Sequence, residues 1–261
     1  MKVSLIGCGW LGTPLAEELI RKGHKVLGST TSTGKLESLR EKGIEPVLFK
    51  LDPMPMGENF NKLFDTDLLV INIPPGSRKH PPHFYKEQIK YLKYRLDTSP
   101  IHKVIFISST SYYPNTNGLV NTSTLFDIDK GSTEAVVKGE QQISQIKQDL
   151  VILRCGGLMG VDRIPGKYFA GRETSGADTP VNYIHQTDVV RIILEMISDW
   201  PMKKKIFNAV TPTHPTRKEV YEAMQSKYNF EAPIWTEPNK INSKVVISDF
   251  EDFELKSPID F

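Results

Sequence analysis

Short apolar runs alternate with helically spaced apolar positions through the first 155 residues. Val3 to Ile6 is unbroken and apolar, the pattern of a buried strand. Leu15, Leu19 and Ile20 then recur at helical spacing up to Gly23. Residues 25–29 predict a second strand, and residues 35–42 a helix that ends at Gly43 as its C-cap. A third strand is predicted over 45–51, ending at Asp52-Pro53. A fourth, over 67–73, is nearly all apolar, as a parallel strand covered on both faces must be. Pro74-Pro75-Gly76 stops it. A longer helix is predicted over 82–97, with Phe84, Ile89, Leu92 and Leu96 along it. Residues 103–108 form the fifth predicted strand and 150–154 the sixth. Between them, 132–147 predicts a helix with Ser132 as N-cap and Ala135, Val136, Ile143 and Ile146 as its apolar positions. Strand-helix units of this length imply an α/β Rossmann fold, a doubly wound parallel sheet with right-handed crossovers.

After Arg154 the rhythm breaks. Residues 156–180 are rich in Gly, Arg and polar side chains and predict loops and a short helix. A helix over 187–199, a strand over 206–210 and an amphipathic helix over 216–228 follow. Residues 230–261 carry Pro233, Pro238 and Pro258 and read as mostly irregular, apart from a possible strand at 245–247. The expected division is a Rossmann domain at 1–155 and a small C-terminal ligand-binding lobe at 156–261. Within that lobe, 182–210 returns to the Rossmann core. Residues 156–181 and 212–240 are expected to cap the carboxyl ends of the strands, where open α/β sheets bind ligands.

Composition narrows the partners. The chain has 261 residues, 39% hydrophobic and 25% charged, as soluble globular proteins do. Its 33 basic and 31 acidic residues give a net charge of +2, which argues against a nucleic-acid or membrane-surface binder. Cys8 and Cys155 make neither a disulfide framework nor a metal cluster. The six histidines lack ligand spacing, so no metal is expected. Met1 leads straight into a strand with no signal-peptide core, and no apolar run reaches the length of a membrane span. The expectation is a cytoplasmic protein, monomer or homodimer, with a small-molecule substrate, no nucleic acid and no membrane.

The chemistry begins at Gly7, Gly9 and Gly12, spaced G-x-G-x-x-G between a strand and a helix. In that setting the spacing means dinucleotide binding, with Trp10 and Leu11 inside the loop. Gly7 permits the tight turn, Gly9 the close approach of a pyrophosphate, and Gly12 the packing of helix on strand. The helix N-terminus offers N–H groups to the phosphates. NAD enzymes usually place an acid at the end of the second strand. Here residues 28–35 read GSTTSTGK, with no acid. Ser29, Thr30, Thr31 and Lys35 could accept a 2′-phosphate, which favours NADP, with NAD possible. The same loop also reads as a plain helix cap.

Four stretches together resemble the extended short-chain dehydrogenase/reductase superfamily, in its NAD(P)-dependent epimerase/dehydratase-like branch. They are GCGWLG at 7–12, FISSTSYYP at 106–114, LRCGGLMG at 153–160 and NYIHQTDVV at 182–190. The glycine loop is similar to that of an atypical epimerase-like subgroup. The resemblance implies hydride transfer on a small carbonyl or sugar-like, even nucleotide-sugar, substrate. It implies a Ser on the fifth strand, here Ser109, that bonds the substrate oxygen, four residues before Tyr113. It also implies a Tyr-x-x-x-Lys pair on the following helix. That place reads Glu134-Ala-Val-Val-Lys138. The lysine, which binds the nicotinamide ribose, is present, and the tyrosine is not. Glu134 and Lys138 share a helical face and equally read as a solvated ion pair. A carboxylate with a pKa near 4 is a poor proton donor at neutral pH unless burial raises it. Tyr112, Tyr113 or Tyr168 are alternative sources of a phenol.

The resemblance further assigns Asp52 to the adenine, Ile73-Pro74-Pro75 to the adenosine ribose and Gly156 to the cofactor. It makes His185 structural. Arg163, Lys167, Tyr168 and Arg172 cluster in the cap segment; cations there suit an anionic substrate, with Tyr113, Arg163 and Tyr168 as candidate substrate contacts beside Ser109. Two other readings stand beside the enzyme. One is a non-catalytic NADP-binding sensor that kept the fold and lost the tyrosine. The other is a dehydrogenase of the 6-phosphogluconate type, suggested by the short glycine loop but requiring an all-helical C-terminal domain.

Overall fold

Seven apolar segments hydrogen-bond edge to edge in the computed structural model, which describes residues 1–76, 79–127, 134–202 and 205–261. They are β1 (Lys2–Ile6), β2 (Lys25–Thr30), β3 (Glu45–Leu48), β4 (Leu68–Ile71), β5 (Lys103–Ser109), β6 (Asp149–Cys155) and β7 (Ile206–Ala209). Their order in the sheet is β7-β6-β5-β4-β1-β2-β3. β1 pairs in parallel with β2 on one side and β4 on the other, and the pairs β2–β3 and β4–β5 are parallel too. The chain thus winds out to β3, crosses back past β1 and winds out the other way, which is the dinucleotide-binding order. Burial follows the pattern of residues. All four side chains of β4 are buried, as are Val3, Ser4, Leu5 and Ile6 of β1.

The helices form where the apolar period is 3.6. They are α1 (Gly12–Arg21), α2 (Leu36–Glu41), α3 (Pro82–Asp97), α4 (Glu134–Ile143), α5 (Gln186–Ser198) and α6 (Arg217–Tyr228). α1 buries Leu15, Ala16 and Leu19, and α3 buries Tyr85, Ile89, Leu92 and Leu96. Pro82 starts α3, where a missing N–H costs nothing. α6 opens on a capping box: the Thr216 side chain accepts from the Glu219 N–H, and Glu219 accepts from the Thr216 N–H.

Several boundaries differ from expectation. The third strand stops at Leu48, because the chain folds back at Asp52-Pro53 and Lys50–Asp52 pairs antiparallel with Met54–Met56. α4 ends at Ile143 and not at 147, since Gln145 and Ile146 close tight turns onto Gln142 and Ile143. The Ser132 N-cap lies outside the described residues. The segment 156–180 holds two short strands, Gly157–Met159 and Glu173–Ser175, besides the short helical turn Lys167–Phe169.

The chain divides into two compact units. The first comprises Met1–Ser108, Thr133–Leu153 and Leu194–Lys205, and the second Ser109–Ser132, Arg154–Ile193 and Ile206–Phe261. In the second unit Val245–Val246 pairs in parallel with Leu119–Val120, and Ile234–Thr236 with Glu173–Ser175. Among the described residues no helix is long and apolar enough to cross a membrane.

Candidate functional site

The glycine turn is built as its spacing demands. Gly7 has φ +106°, in the left-handed region, and a Cβ there would overlap the Asn72 carbonyl oxygen. A Cβ on Gly12 would overlap the Gly7 carbonyl oxygen and stand 3.1 Å from Asn72 Nδ2. Around Gly9 nothing lies within 4 Å of a Cβ position. The outer face of the turn is therefore open where a pyrophosphate would need the backbone bare, and the first turn of α1 begins there. The residues present fit a dinucleotide.

Two side chains fix this turn from below. Gly7 N–H donates to Ser29 Oγ at 2.9 Å, and Asn72 Nδ2 donates to Gly7 O at 3.1 Å. Leu11 is buried and Trp10 half-buried. Cys8 packs under Gly28, whose own Cβ would overlap the Cys8 sulfur. Burial pushes the Cys8 thiol up to about 12, so it is an inert neutral group.

The end of β2 splits into inward and outward residues. Ser29 is buried and bonded to Gly7, so it braces the turn and does not face a phosphate. Thr30 is buried and accepts from Ser32 N–H at 3.2 Å. Thr31 and Lys35 are exposed. Asp52 is exposed and hydrogen-bonds Lys50; that bond and the ammonium charge hold its carboxyl below the usual range. Past β4, Ile73 and Pro75 are half-buried, Pro74 is exposed, and the Ile73 carbonyl accepts from Tyr85 Oη at 3.1 Å.

Glu134 and Lys138 pair with each other on the exposed side of α4. An exposed i,i+4 pair contributes roughly 0.3–0.5 kcal/mol. Ser109 Oγ accepts from Ser111 N–H at 3.1 Å and from Ser111 Oγ at 3.0 Å, so it caps the short turn Thr110–Tyr112. Gly156 is buried, and a Cβ there would stand 2.5 Å from the Asn182 carbonyl oxygen. Glycine is needed there for packing within the second unit.

Tyr113 is corrected from substrate contact to framework. It is 0% exposed, its Oη donates to Asn208 Oδ1 at 2.7 Å, and it accepts from Arg154 Nη1 at 2.8 Å. Arg154 is itself 3% exposed and stacks over Tyr112, 3.5 Å from the ring centre. Lys244 Nζ donates to the Tyr113 carbonyl at 2.7 Å, and burial lowers its pKa. These partners were missed because they lie far apart in the chain. Tyr168 is 74% exposed with Arg172 over its ring, and Arg163 and Lys167 are exposed.

His185 is 4% exposed; its Nδ1 meets Thr187 Oγ1 at 2.8 Å, and its Nε2 is buried without a partner. Burial and then the Lys256 charge lower its pKa, against Asp188. The folded state therefore binds this proton less readily than the unfolded state. Stability is complete above about pH 6.5 and falls as pH drops below it. Melting temperatures between pH 7.5 and 5 are expected to fall less steeply in His185→Gln than in the wild type.

Among the described residues no group of three His, Cys, Asp or Glu is placed to hold a metal. Residues 2–60 match the family model for the NAD binding domain of 6-phosphogluconate dehydrogenase. Two solved structures share the fold. MoeE5 in complex with UDP-glucose and NAD has a TM-score of 0.76 at 16% identity, covering 97% of this chain and 91% of that one. The UDP-glucose 4-epimerase of Thermotoga maritima has a TM-score of 0.75 at 16% identity, covering 95% and 90%. Strand order, glycine turn and these likenesses define an α/β Rossmann fold with a glycine turn of the dinucleotide-binding type. Protein YeeZ of Escherichia coli (strain K12) is 32% identical over 235 residues, covering 89% of this chain and 85% of the relative. The chain belongs to the YeeZ family.

Proposed function

We propose that this chain is an NADP-dependent oxidoreductase or epimerase of the cytoplasm, monomer or homodimer, acting on a small carbonyl or sugar-like substrate. The observation that carries it is the braced glycine turn, open at Gly9 and closed by Gly7, Gly12, Ser29 and Asn72. Bound there, the nicotinamide cofactor supplies the hydride. Trp10 and Leu11 belong to the loop that receives the pyrophosphate. Exposed Thr31 and Lys35, with no acid between 28 and 35, support NADP over NAD. Asp52 and Ile73 to Pro75 take the adenosine half, and Lys138 the nicotinamide ribose. Ser109 takes the substrate oxygen once it leaves Ser111, and Arg163 and Tyr168 meet an anionic part of the substrate. A nucleotide sugar is the larger substrate class, by likeness to MoeE5.

Thermal denaturation with each nucleotide tests this. NADP(H) is expected to raise Tm more than NAD(H), by several degrees at a hundredfold excess over Kd. Equal or reversed shifts overturn the NADP reading, and no shift overturns dinucleotide binding. A second reading is favoured by one observation. Glu134 sits in an exposed ion pair where the tyrosine would stand, which suits a sensor that binds NADP without reacting. Oxidation of NADPH by any carbonyl compound would exclude the sensor.

A further inference from the structure

Resting on the dinucleotide reading, we propose that Tyr85 and the Ser108–Glu140 pair are positioning residues. They fix the loop after β4, assigned to the adenosine ribose, and the end of β5, where the substrate oxygen assigned to Ser109 must meet the nicotinamide for hydride transfer. The loop reads Ile73-Pro74-Pro75, and two of its three residues have no N–H to anchor it. Its anchor is a carbonyl: Tyr85 Oη donates to Ile73 O at 3.1 Å. Burial, and then the charge of Glu140, push the Tyr85 pKa well above its ordinary value. The phenol therefore stays a donor at any working pH.

α4 is shaped around that phenol. A Cβ on Gly139 would stand 2.5 Å from Tyr85 Cε1, so the ring fills the space a side chain would take. Glycine inside a helix is unfavourable and needs such a reason. The next residue, Glu140, is 3% exposed and accepts from Ser108 Oγ at 2.5 Å. A carboxylate is rarely buried without partners that require it. Adjacent residues of one helix thus hold the ring that anchors the β4 loop and the hydroxyl that ends β5. All these residues lie in the first compact unit. Ser109, the candidate for the substrate oxygen, follows Ser108 in the chain.

The test uses Tyr85→Phe, which keeps the ring and removes the hydroxyl, and Ser108→Ala. Probes are NADPH and adenosine 2′,5′-bisphosphate, which lacks the nicotinamide half. Without nucleotide, each variant is expected to melt within about 4 °C of the wild type. Tyr85→Phe should weaken both probes about five- to tenfold, since it frees the loop assigned to the adenosine ribose. Ser108→Ala should weaken NADPH by a similar factor and leave the bisphosphate unchanged. A purely structural role would move Tm and not this pattern. Wild-type affinities in both variants, with the wild type binding, overturn the proposal alone. No binding by the wild type overturns the dinucleotide reading and this proposal with it. If Tyr85→Phe does not fold, Ser108→Ala decides by the same two probes.

Discussion

Gly12→Ala is expected to weaken dinucleotide binding severely and to destabilise the fold, whereas Gly9→Ala weakens binding alone. The methyl at position 12 would overlap a backbone oxygen, Gly7 O, which has no flexible side chain to yield. Either α1 moves off the end of β1 or the turn opens. Overpacking of this kind costs about 1–3 kcal/mol, or roughly 2–10 °C in Tm for a chain of this size. The displaced helix N-terminus no longer aims its N–H groups at the phosphates, so Kd for NADPH should rise more than about a hundredfold. At Gly9 the methyl enters open space, so Tm without ligand should stay within about 2 °C of the wild type. It occupies the approach a pyrophosphate needs, and affinity should fall at least about tenfold. Fluorescence titration with NADPH, beside thermal melts, separates the two effects. Wild-type affinity in Gly9→Ala would remove the turn from the binding site.

Tyr113→Phe is expected to destabilise without touching the cofactor. Removing one hydroxyl leaves two buried partners, Asn208 Oδ1 and an Arg154 Nη1 hydrogen, each without its bond to this oxygen. A buried group that loses its partner costs about 1–3 kcal/mol. The combined loss of roughly 2–4 kcal/mol corresponds to about 5–15 °C in Tm. Asn208→Leu should not add fully to Tyr113→Phe, because both break one network. NADPH affinity in Tyr113→Phe should stay within about twofold of the wild type. A tenfold loss of affinity with unchanged Tm would return Tyr113 to the ligand-contact role first assigned to it.

The glycine turn was legible because its six residues are contiguous and each of its three glycines has one physical task. The parallel sheet was legible because strands buried on both faces carry few polar residues. What holds the turn was not legible. Asn72 reaches Gly7 from 65 residues away, and nothing local to 67–73 marks it as a brace. Ser29 was expected at a phosphate, but its hydroxyl points back to Gly7 N–H. Residue type alone does not say which face of β2 carries it. Tyr113 was misplaced for a related reason. Its motif neighbours suggested a ligand, while its burial depends on Arg154 and Asn208, 41 and 95 residues away. Glu140 and Tyr85 escaped attention because a Glu on a helix reads as solvated until the helix is packed.

The braces on the glycine turn also bear on how fast and how long a nucleotide binds. Gly7 is tied to Ser29 and Asn72 by bonds made entirely within the chain. Ordering a residue costs roughly 1–2 kcal/mol of conformational entropy, and here that cost falls on folding. A nucleotide reaching the turn docks onto a surface already set, with little left to arrange. On the proposed reading, encounter rates for different nucleotides are expected to be similar, and the choice between NADP and NAD to be made by residence time, at Thr31 and Lys35.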